Sequence, residues 1–195
     1  MMSSIKLIVG LGNPGQQYEF TRHNIGAKWV AALAARFDIR FTTETKFQGR
    51  LGHGSVLDSK IRFLLPSTYM NSSGDSVGLV ARYFQYAAEE ILVVHDELAF
   101  DVGIVRLKRG GGSNGHNGIK SVSNMLDGDK SFARLTIGVG KPLEKSLVNS
   151  YLTSSRISEA LLDEAMRMDL FSDEVVMNLL DGDFDKCMNI LHAGN

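Results

Sequence analysis

Residues 5–15 read IKLIVGLGNPG, an apolar run that ends in a turn built from glycine, asparagine and proline. An apolar run of this length predicts a buried strand, and the glycines that follow it predict a tight turn. Similar runs predict further strands at 61–65, 91–94, 102–107 and 132–139. The first stretch therefore introduces a sheet whose strands are buried.

Helical patterns lie between these strands. The first predicted helix starts after Asn24, its expected N-cap, and its apolar residues recur every four positions at Ile25, Trp29, Leu33 and Phe37. Further helices are predicted at 77–84, 119–126 and 184–191, and one long helix is predicted from Ile157 onward. Alternating strands and helices are typical of the α/β class, and 195 residues suit one domain. We therefore predict a single α/β domain over residues 1–195, with a twisted, mostly parallel mixed sheet and helices on both faces.

Residues 10–15 also match the G-x-G-x-x-G pattern of dinucleotide-binding folds, and Asp38 lies where such folds place an acid for the ribose. In those folds the third glycine opens a helix whose amino end binds the pyrophosphate. Here the helical pattern begins only near Asn24, and Asp38 directly follows that helix without a second strand to carry it. A dinucleotide enzyme is therefore the weaker alternative.

Polar residues follow three of the predicted strands. Asn13 follows the first strand, Asn71 follows the second, and Asp96 ends the third. Ligands of α/β sheets bind beyond the carboxyl ends of the strands, so we expect these residues to share a site.

His23 and Asp96 are the candidates for acid–base chemistry. A neutral imidazole accepts a proton from water near neutral pH. A carboxylate on its other ring nitrogen selects the tautomer and stabilises the imidazolium that forms. A structural histidine and a capping aspartate are the alternative interpretation, but together the two residues predict a base that activates water.

Other catalytic chemistries have less support in the sequence. The hydroxyl residues near the second strand lack a G-x-S-x-G elbow, and Cys187 is far in sequence from His23. His53, His95 and His116 are scattered along the chain without the spacing of metal ligands, so we expect no metal site. Direct attack by water is therefore favoured over a covalent intermediate.

Asn13, Asn71 and Asn117 suit a binding role. Each side-chain amide offers donors and an acceptor, so it can bind a peptide backbone or stabilise an oxyanion without changing charge. Asn71 and Asn117 also precede predicted helices, and helix capping is the alternative role for both.

Charge is unevenly distributed, although the net charge is only −1. Residues 103–145 carry eight basic and three acidic side chains, whereas residues 156–195 carry three basic and nine acidic ones. The first segment predicts a basic face that meets phosphates, and an ordinary solvated surface is the alternative.

Composition also bears on location. One cysteine excludes an internal disulfide framework, and no run of about 18 apolar residues predicts a membrane span. No apolar signal segment is visible near the first residues, so we expect a cytoplasmic protein.

Taken together, the motifs resemble the bacterial-type peptidyl-tRNA hydrolase family. The matching stretches occur in family order and spacing, and they are IVGLGNPG (8–15), TRHNIG (21–26), PSTYMNSSG (66–74), HDEL (95–98) and GGGSNGHNG (110–118). The match continues through Arg134 and residues 138–142, so it covers nearly the whole chain.

The resemblance implies that the protein hydrolyses the ester between peptide and tRNA in peptidyl-tRNA released prematurely from ribosomes. His23 would be the general base, Asp96 would hold it in its basic form, and Asn13 would help to distinguish peptidyl-tRNA from aminoacyl-tRNA. The residues that would contact the peptide or the tRNA are Tyr18, Tyr69, Met70, Asn71, Lys108, His116 and Asn117, with Lys108 on a phosphate. The resemblance also implies a monomer that needs no cofactor.

One position departs from the family. Many members have a second arginine two residues after the position of Arg134, where this chain has Thr136. Arg134, Lys141 and Lys145 are the candidates to replace its charge, and the second phosphate contact stays open.

The fold expected from the resemblance is shared by plant organellar RNA-splicing factors, which bind RNA without hydrolysing an ester. A non-catalytic RNA-binding protein is therefore the alternative function. On that interpretation the basic face matters and His23 is idle.

Overall fold

The computed structural model describes residues 3–193. Its strands are β1 (Leu7–Gly10), β2 (Thr42–Glu44), β3 (Gly49–Val56), β4 (Ser59–Pro66), β5 (Ile91–Glu97), β6 (Val105–Arg109) and β7 (Ala133–Gly138). Its α-helices are α1 (Ile25–Arg36), α2 (Ser73–Phe84), α3 (Asn117–Met125), α4 (Val148–Thr153), α5 (Glu159–Met166), α6 (Asp173–Asp181) and α7 (Phe184–Ala193).

All these strands form one sheet in the order β2-β3-β4-β1-β5-β7-β6. Strands β4, β1, β5 and β7 run parallel, while β2, β3 and β6 pair antiparallel at the two sides. The predicted mostly parallel mixed sheet is therefore confirmed. The parallel register brings the carboxyl ends of β1, β4 and β5 to the same edge.

Strands β2 and β3 were not predicted from the sequence. In β3 the apolar pattern is interrupted by Gly52 and Gly54, and an added Cβ at either would lie within about 3 Å of Ile39. Because these glycines lack a side chain, Ile39 can pack directly on the backbone of β3. The apolar contact of β3 at this point therefore comes from another part of the chain. A pattern within β3 alone does not show that contact.

Helices cover both faces of the sheet, as predicted. One apolar core joins α1 and the helices after β7 to one face, and it includes Trp29 against Phe171 at a ring-centroid distance of 4.9 Å. The other core lies under α2 and α3 and includes Val77 and Val122. Burial on both faces explains why the central strands are continuous apolar runs.

The single long helix predicted from Ile157 is wrong. The chain forms α5, a short 3-10 turn at Met168–Leu170 and then α6. Arg167 adopts a left-handed conformation (φ 46°), which ends α5. The break lets Phe171 turn inward, where it is 1% exposed.

Close packing of α1 on β5 fixes the start of that helix. A Cβ added to Gly26 would lie 2.2 Å from the carbonyl oxygen of Val94. The backbone of α1 therefore touches the backbone of β5 just after His23. This contact positions the predicted base relative to the strand that carries Asp96.

No helix within residues 3–193 is long and apolar enough to cross a membrane.

The contact predicts the effect of Gly26→Ala. Alanine is the better helix former by about 1 kcal/mol, but here its methyl group meets backbone that cannot move aside. We expect the free energy of unfolding, measured with urea, to fall by about 1–3 kcal/mol. Gly112→Ala is the control, because an added Cβ there meets open space. Equal stability of both variants would contradict the packing argument.

Candidate active site

The candidate site lies beyond the carboxyl ends of the parallel strands. Asp96 is the penultimate residue of β5, and His23 lies in a short 3-10 helix (Arg22–Asn24) that leads into α1. Because α1 packs directly on β5, the two side chains face each other across this junction.

His23 and Asp96 form the predicted pair. Nδ1 of His23 lies 2.8 Å from Oδ1 of Asp96, and the two side chains are 8% and 1% exposed. An ionised carboxylate only accepts, so Nδ1 carries the hydrogen and Nε2 keeps its lone pair. No hydrogen bond within residues 3–193 engages Nε2 of His23. The geometry therefore presents a base with a selected tautomer.

Asp96 is ionised in this environment. Burial is the largest influence on its carboxyl and opposes ionisation, but His116 and His23 together outweigh it. They hold the pKa of Asp96 well below its ordinary value. The carboxylate is therefore a permanent hydrogen-bond acceptor at neutral pH.

His116 joins this pair, which the sequence analysis missed. Its Nε2 lies 3.0 Å from the same Oδ1 of Asp96, and its ring centroid lies 5.0 Å from that of His23. His95 in turn contacts His116 at a centroid distance of 4.7 Å. His95 and His116 are far apart along the chain, but β5 and the loop before α3 bring both of them close to His23.

The same loop caps α3. Nδ1 of His116 accepts from the backbone N–H groups of Gly118 and Ile119 at 3.1 and 3.4 Å. Asn117 is the first residue of α3 rather than its cap. The alternative capping role of Asn117 is therefore wrong, and its amide is left to face the surface.

His95 is a buried neutral histidine. Its Nδ1 donates to the carbonyl oxygen of Asp96 at 2.7 Å, and its Nε2 has no partner within residues 3–193. Burial and the neighbouring His116 hold the pKa of His95 well below its ordinary value. The residue therefore supports the backbone of Asp96 without carrying charge.

One group within the described part of the chain has the composition of a metal site. The ligand atoms of His23, Asp96 and His116 all lie within 4.8 Å of one another. However, the two histidine nitrogens that face Asp96 already donate to it. A cation between them would have to displace both hydrogens, so the arrangement favours a hydrogen-bonded triad.

A cavity of about 350 Å³ opens beside this triad. Asn117 and the glycine-rich loop 110–116 form one wall, and Lys145 and α4 form another. Glu97 also lines it and accepts from Asn114 and from the backbone of Ala99. Sequence reasoning gave no role to α4 or to Glu97, although Glu97 belongs to the HDEL stretch (95–98).

Asn13 is held in one orientation. Its Oδ1 accepts from the backbone N–H of Met70 at 2.7 Å. Its backbone N–H and carbonyl form hydrogen bonds with the side chain of Asn24. The predicted cap is therefore wrong in one respect, because Asn24 is at the N-cap position of α1 but its side chain does not bond the helix. Nδ2 of Asn13 is left without a partner among residues 3–193.

The other predicted contact residues lie around Asn13 rather than in the cavity beside His23. Tyr69 is 57% exposed and meets the half-buried Tyr18 edge-on at 6.4 Å. Asn71 is exposed, and Met70 is buried. A Cβ added to Gly118 would lie 2.5 Å from Sδ of Met70 and 3.1 Å from Cε1 of His116. Met70 therefore connects the Asn13 region to the triad.

Arg134 does not replace the charge of the second arginine that is missing at Thr136. It is 1% exposed, and its guanidinium donates to the carbonyl oxygens of Gly110 and Gly112. Thr136 is also buried and donates to the carbonyl of Arg106. The expectation for Arg134 is therefore wrong, because its charge lies beneath the glycine-rich loop and holds it.

Three lysines lie near that loop. Lys108 pairs across the sheet with Arg134, and burial together with Arg134 lowers its pKa from the ordinary value. Lys120 and Lys130 line a second cavity of about 440 Å³, which shares Asn117 with the first. None of the three forms an ion pair within residues 3–193.

The neutral state of His95 predicts a pH dependence of stability. The unfolded chain takes up a proton at this residue below about pH 6.5, whereas the folded protein, with His116, Asp96 and Arg134 around the ring, does not. The free energy of unfolding should therefore fall on acidification, with about 1.4 kcal/mol per pH unit due to His95 between about pH 6 and 5.

Urea titrations at several pH values check this. His95→Asn keeps a donor for the Asp96 carbonyl and should make the slope shallower, whereas His53→Asn at an exposed position should not. Parallel slopes for His95→Asn and the wild type would exclude a buried neutral His95.

Known proteins of one family are similar to this chain over nearly its whole length. The family model described as peptidyl-tRNA hydrolase matches residues 7–195. The chain is 43% identical to a peptidyl-tRNA hydrolase of Shewanella loihica, with 98% of each chain covered. It is 46% identical to one of Mannheimia succiniciproducens, with 85% of this chain and 86% of the relative covered. The crystal structure of peptidyl-tRNA hydrolase from Acinetobacter baumannii superposes with a TM-score of 0.90 at 39% identity, covering 99% of this chain and 97% of that one. A match of this extent, over both the sequence and the fold, shows that the chain belongs to the peptidyl-tRNA hydrolase family.

Proposed function

We propose that this protein hydrolyses the ester that joins a peptide to tRNA, acting on peptidyl-tRNA released early from the ribosome. The observation that carries the proposal is the His23–Asp96 pair. His23 lines a cavity, and its Nε2 is free because only Nδ1 is bonded to Asp96. The family match supports the choice of substrate. A base of this kind suits attack by water on an acyl carbon.

In the proposed reaction, Nε2 of His23 takes a proton from water as the hydroxide forms a bond to the ester carbonyl carbon. Asp96 stabilises the imidazolium that results. The tetrahedral intermediate then expels the ribose oxygen of the tRNA, and His23 returns the proton to that oxygen. The products are free tRNA and a peptide carboxylic acid, which ionises.

Water is the nucleophile in this scheme because the nearby hydroxyls are engaged elsewhere. Ser146 and Thr153 line the cavity, but Oγ of Ser146 donates to Glu144 and Oγ1 of Thr153 donates to the carbonyl of Asn149. Neither is bonded to His23. Asn117 lines the same cavity and offers an amide donor for the developing oxyanion.

Asn13 is proposed to distinguish peptidyl-tRNA from aminoacyl-tRNA. Because Oδ1 is occupied by Met70, the group that remains is the Nδ2 donor. A donor binds the carbonyl of an acylated amine, whereas a free ammonium group offers only hydrogens. Tyr18, Tyr69, Met70 and Asn71 surround this point and are proposed to contact the peptide or the tRNA end.

The lysines around the glycine-rich loop are proposed to contact the tRNA backbone. Lys108, Lys120 and Lys130 belong to the basic segment 103–145 and have no ion pair within the described residues. Phosphate groups neutralise such charges and release counterions. We further propose a cytoplasmic monomer that acts without metal or cofactor. A protein that only binds RNA would use the lysines but leave His23 idle.

His23→Ala tests the catalytic proposal. Loss of the base should lower the rate of peptidyl-tRNA hydrolysis by about 10²–10⁴-fold, measured with purified protein in the presence of a chelator. His53→Ala, at an exposed position, is the control and should keep wild-type turnover. Absence of turnover in the wild type, with tRNA binding retained, would favour the binding-only alternative.

Lys108→Ala tests the RNA face. Removal of one phosphate contact should weaken tRNA binding and reduce the slope of log K against log salt concentration by about one. Lys60→Ala is the control, since Lys60 lies near the amino end of β4, away from the candidate site. An unchanged salt slope in Lys108→Ala would remove Lys108 from the RNA contact.

A further inference from the structure

We infer that His116 is a positioning residue of the proposed hydrolysis: it holds the Asp96 carboxylate in place for His23 and at the same time fixes the start of α3, and so the position of Asn117. Sequence reasoning grouped His116 with the residues that touch substrate. The contacts of its ring argue for a different role.

Both ring nitrogens of His116 are engaged within the protein. Nδ1 accepts from the N–H groups of Gly118 and Ile119, so it carries no hydrogen. The single hydrogen of the neutral ring therefore lies on Nε2, which donates to Oδ1 of Asp96 at 3.0 Å. No ring nitrogen is left for the substrate, and the side chain is only 8% exposed.

The second donor matters because both bonds meet one oxygen. Oδ1 of Asp96 accepts a hydrogen bond from His23 at 2.8 Å and another from His116 at 3.0 Å. His23 belongs to the 3-10 helix before α1, and His116 belongs to the loop before α3. Without His116 the buried carboxylate would keep one side-chain donor and could turn about its Cβ–Cγ bond. The Nδ1–H tautomer and orientation of His23 would then be less strictly held.

The cap contact couples this bond to the cavity wall. His116 is the N-cap of α3, and Asn117 is the first helical residue. Asp96 therefore anchors, through one imidazole, both the base and the amide that faces the cavity. Charged or titratable groups around the pair are Glu97 and Lys145 in the cavity and His95 behind His116.

Two substitutions separate the two contacts, because asparagine and glutamine each reproduce one nitrogen of histidine. In His116→Asn the side-chain oxygen takes the place of Nδ1, so the cap is kept and the bond to Asp96 is lost. In His116→Gln the amide nitrogen takes the place of Nε2, so the bond to Asp96 is kept and the cap is lost.

We expect opposite kinetic effects, and this part of the test depends on the proposed function. His116→Asn should lower kcat by about 10- to 100-fold with little change in KM, and it should also lower the Tm, because the buried Asp96 carboxylate loses a donor. His116→Gln should keep kcat within about threefold of the wild type but lower the Tm and raise KM. Wild-type kcat in His116→Asn, or an equal loss of kcat in both variants, would overturn the inference.

Nitrogen-15 NMR of histidine-labelled protein tests the arrangement without any substrate. At neutral pH, His116 should show a protonated Nε2 and a bare Nδ1, while His23 shows a protonated Nδ1. Protonation of Nδ1 in His116 would overturn the inference whether or not the protein is active. Correct tautomers in a protein that does not turn over peptidyl-tRNA would instead place the failure in the proposed function.

Discussion

Oδ1 of Asp96 accepts hydrogen bonds from His23 and His116 at a place where the carboxylate is almost fully screened from water. A buried charge of this kind costs several kcal/mol unless donors surround it. Here the donors are the proposed base and the residue that caps α3. The cost of burying Asp96 is therefore offset only when β5, the start of α1 and the loop before α3 are assembled together.

Backbone packing makes that assembly rigid. Gly26 brings α1 against the Val94 carbonyl, and Arg134 holds the glycine-rich loop through the carbonyls of Gly110 and Gly112. Neither contact touches the cavity, yet each fixes an element that carries a residue of the triad. Sites built on elements held in this way keep their geometry without relying on the substrate.

Much of this arrangement could be predicted from the sequence, and the remainder depended on contacts that no local pattern contains. All strands except β2 and β3 and most helices followed from apolar periodicity, and the pairing of His23 with Asp96 followed from the acid–base chemistry that the two side chains offer together. His116 was placed among substrate contacts because its partners, Asp96 and two amides of α3, are known only once β5 and the loop meet. Arg134 was one of three candidates to supply the missing charge, and its burial could not be predicted because it depends on where the glycine-rich loop folds back.

The burial of Arg134 also changes which side chains of the basic segment 103–145 are available to bind RNA. Because its guanidinium is bonded to two loop carbonyls, the RNA contact proposed for this segment falls to other basic side chains. Lys108 lies beside Arg134 on the sheet, and Lys120 and Lys130 lie across the loop in the neighbouring cavity. None of these three lysines forms an ion pair within residues 3–193. On the proposed function, a polyanion that neutralises Lys120 and Lys130 would be held next to Asn117, which lines both their cavity and the one beside His23.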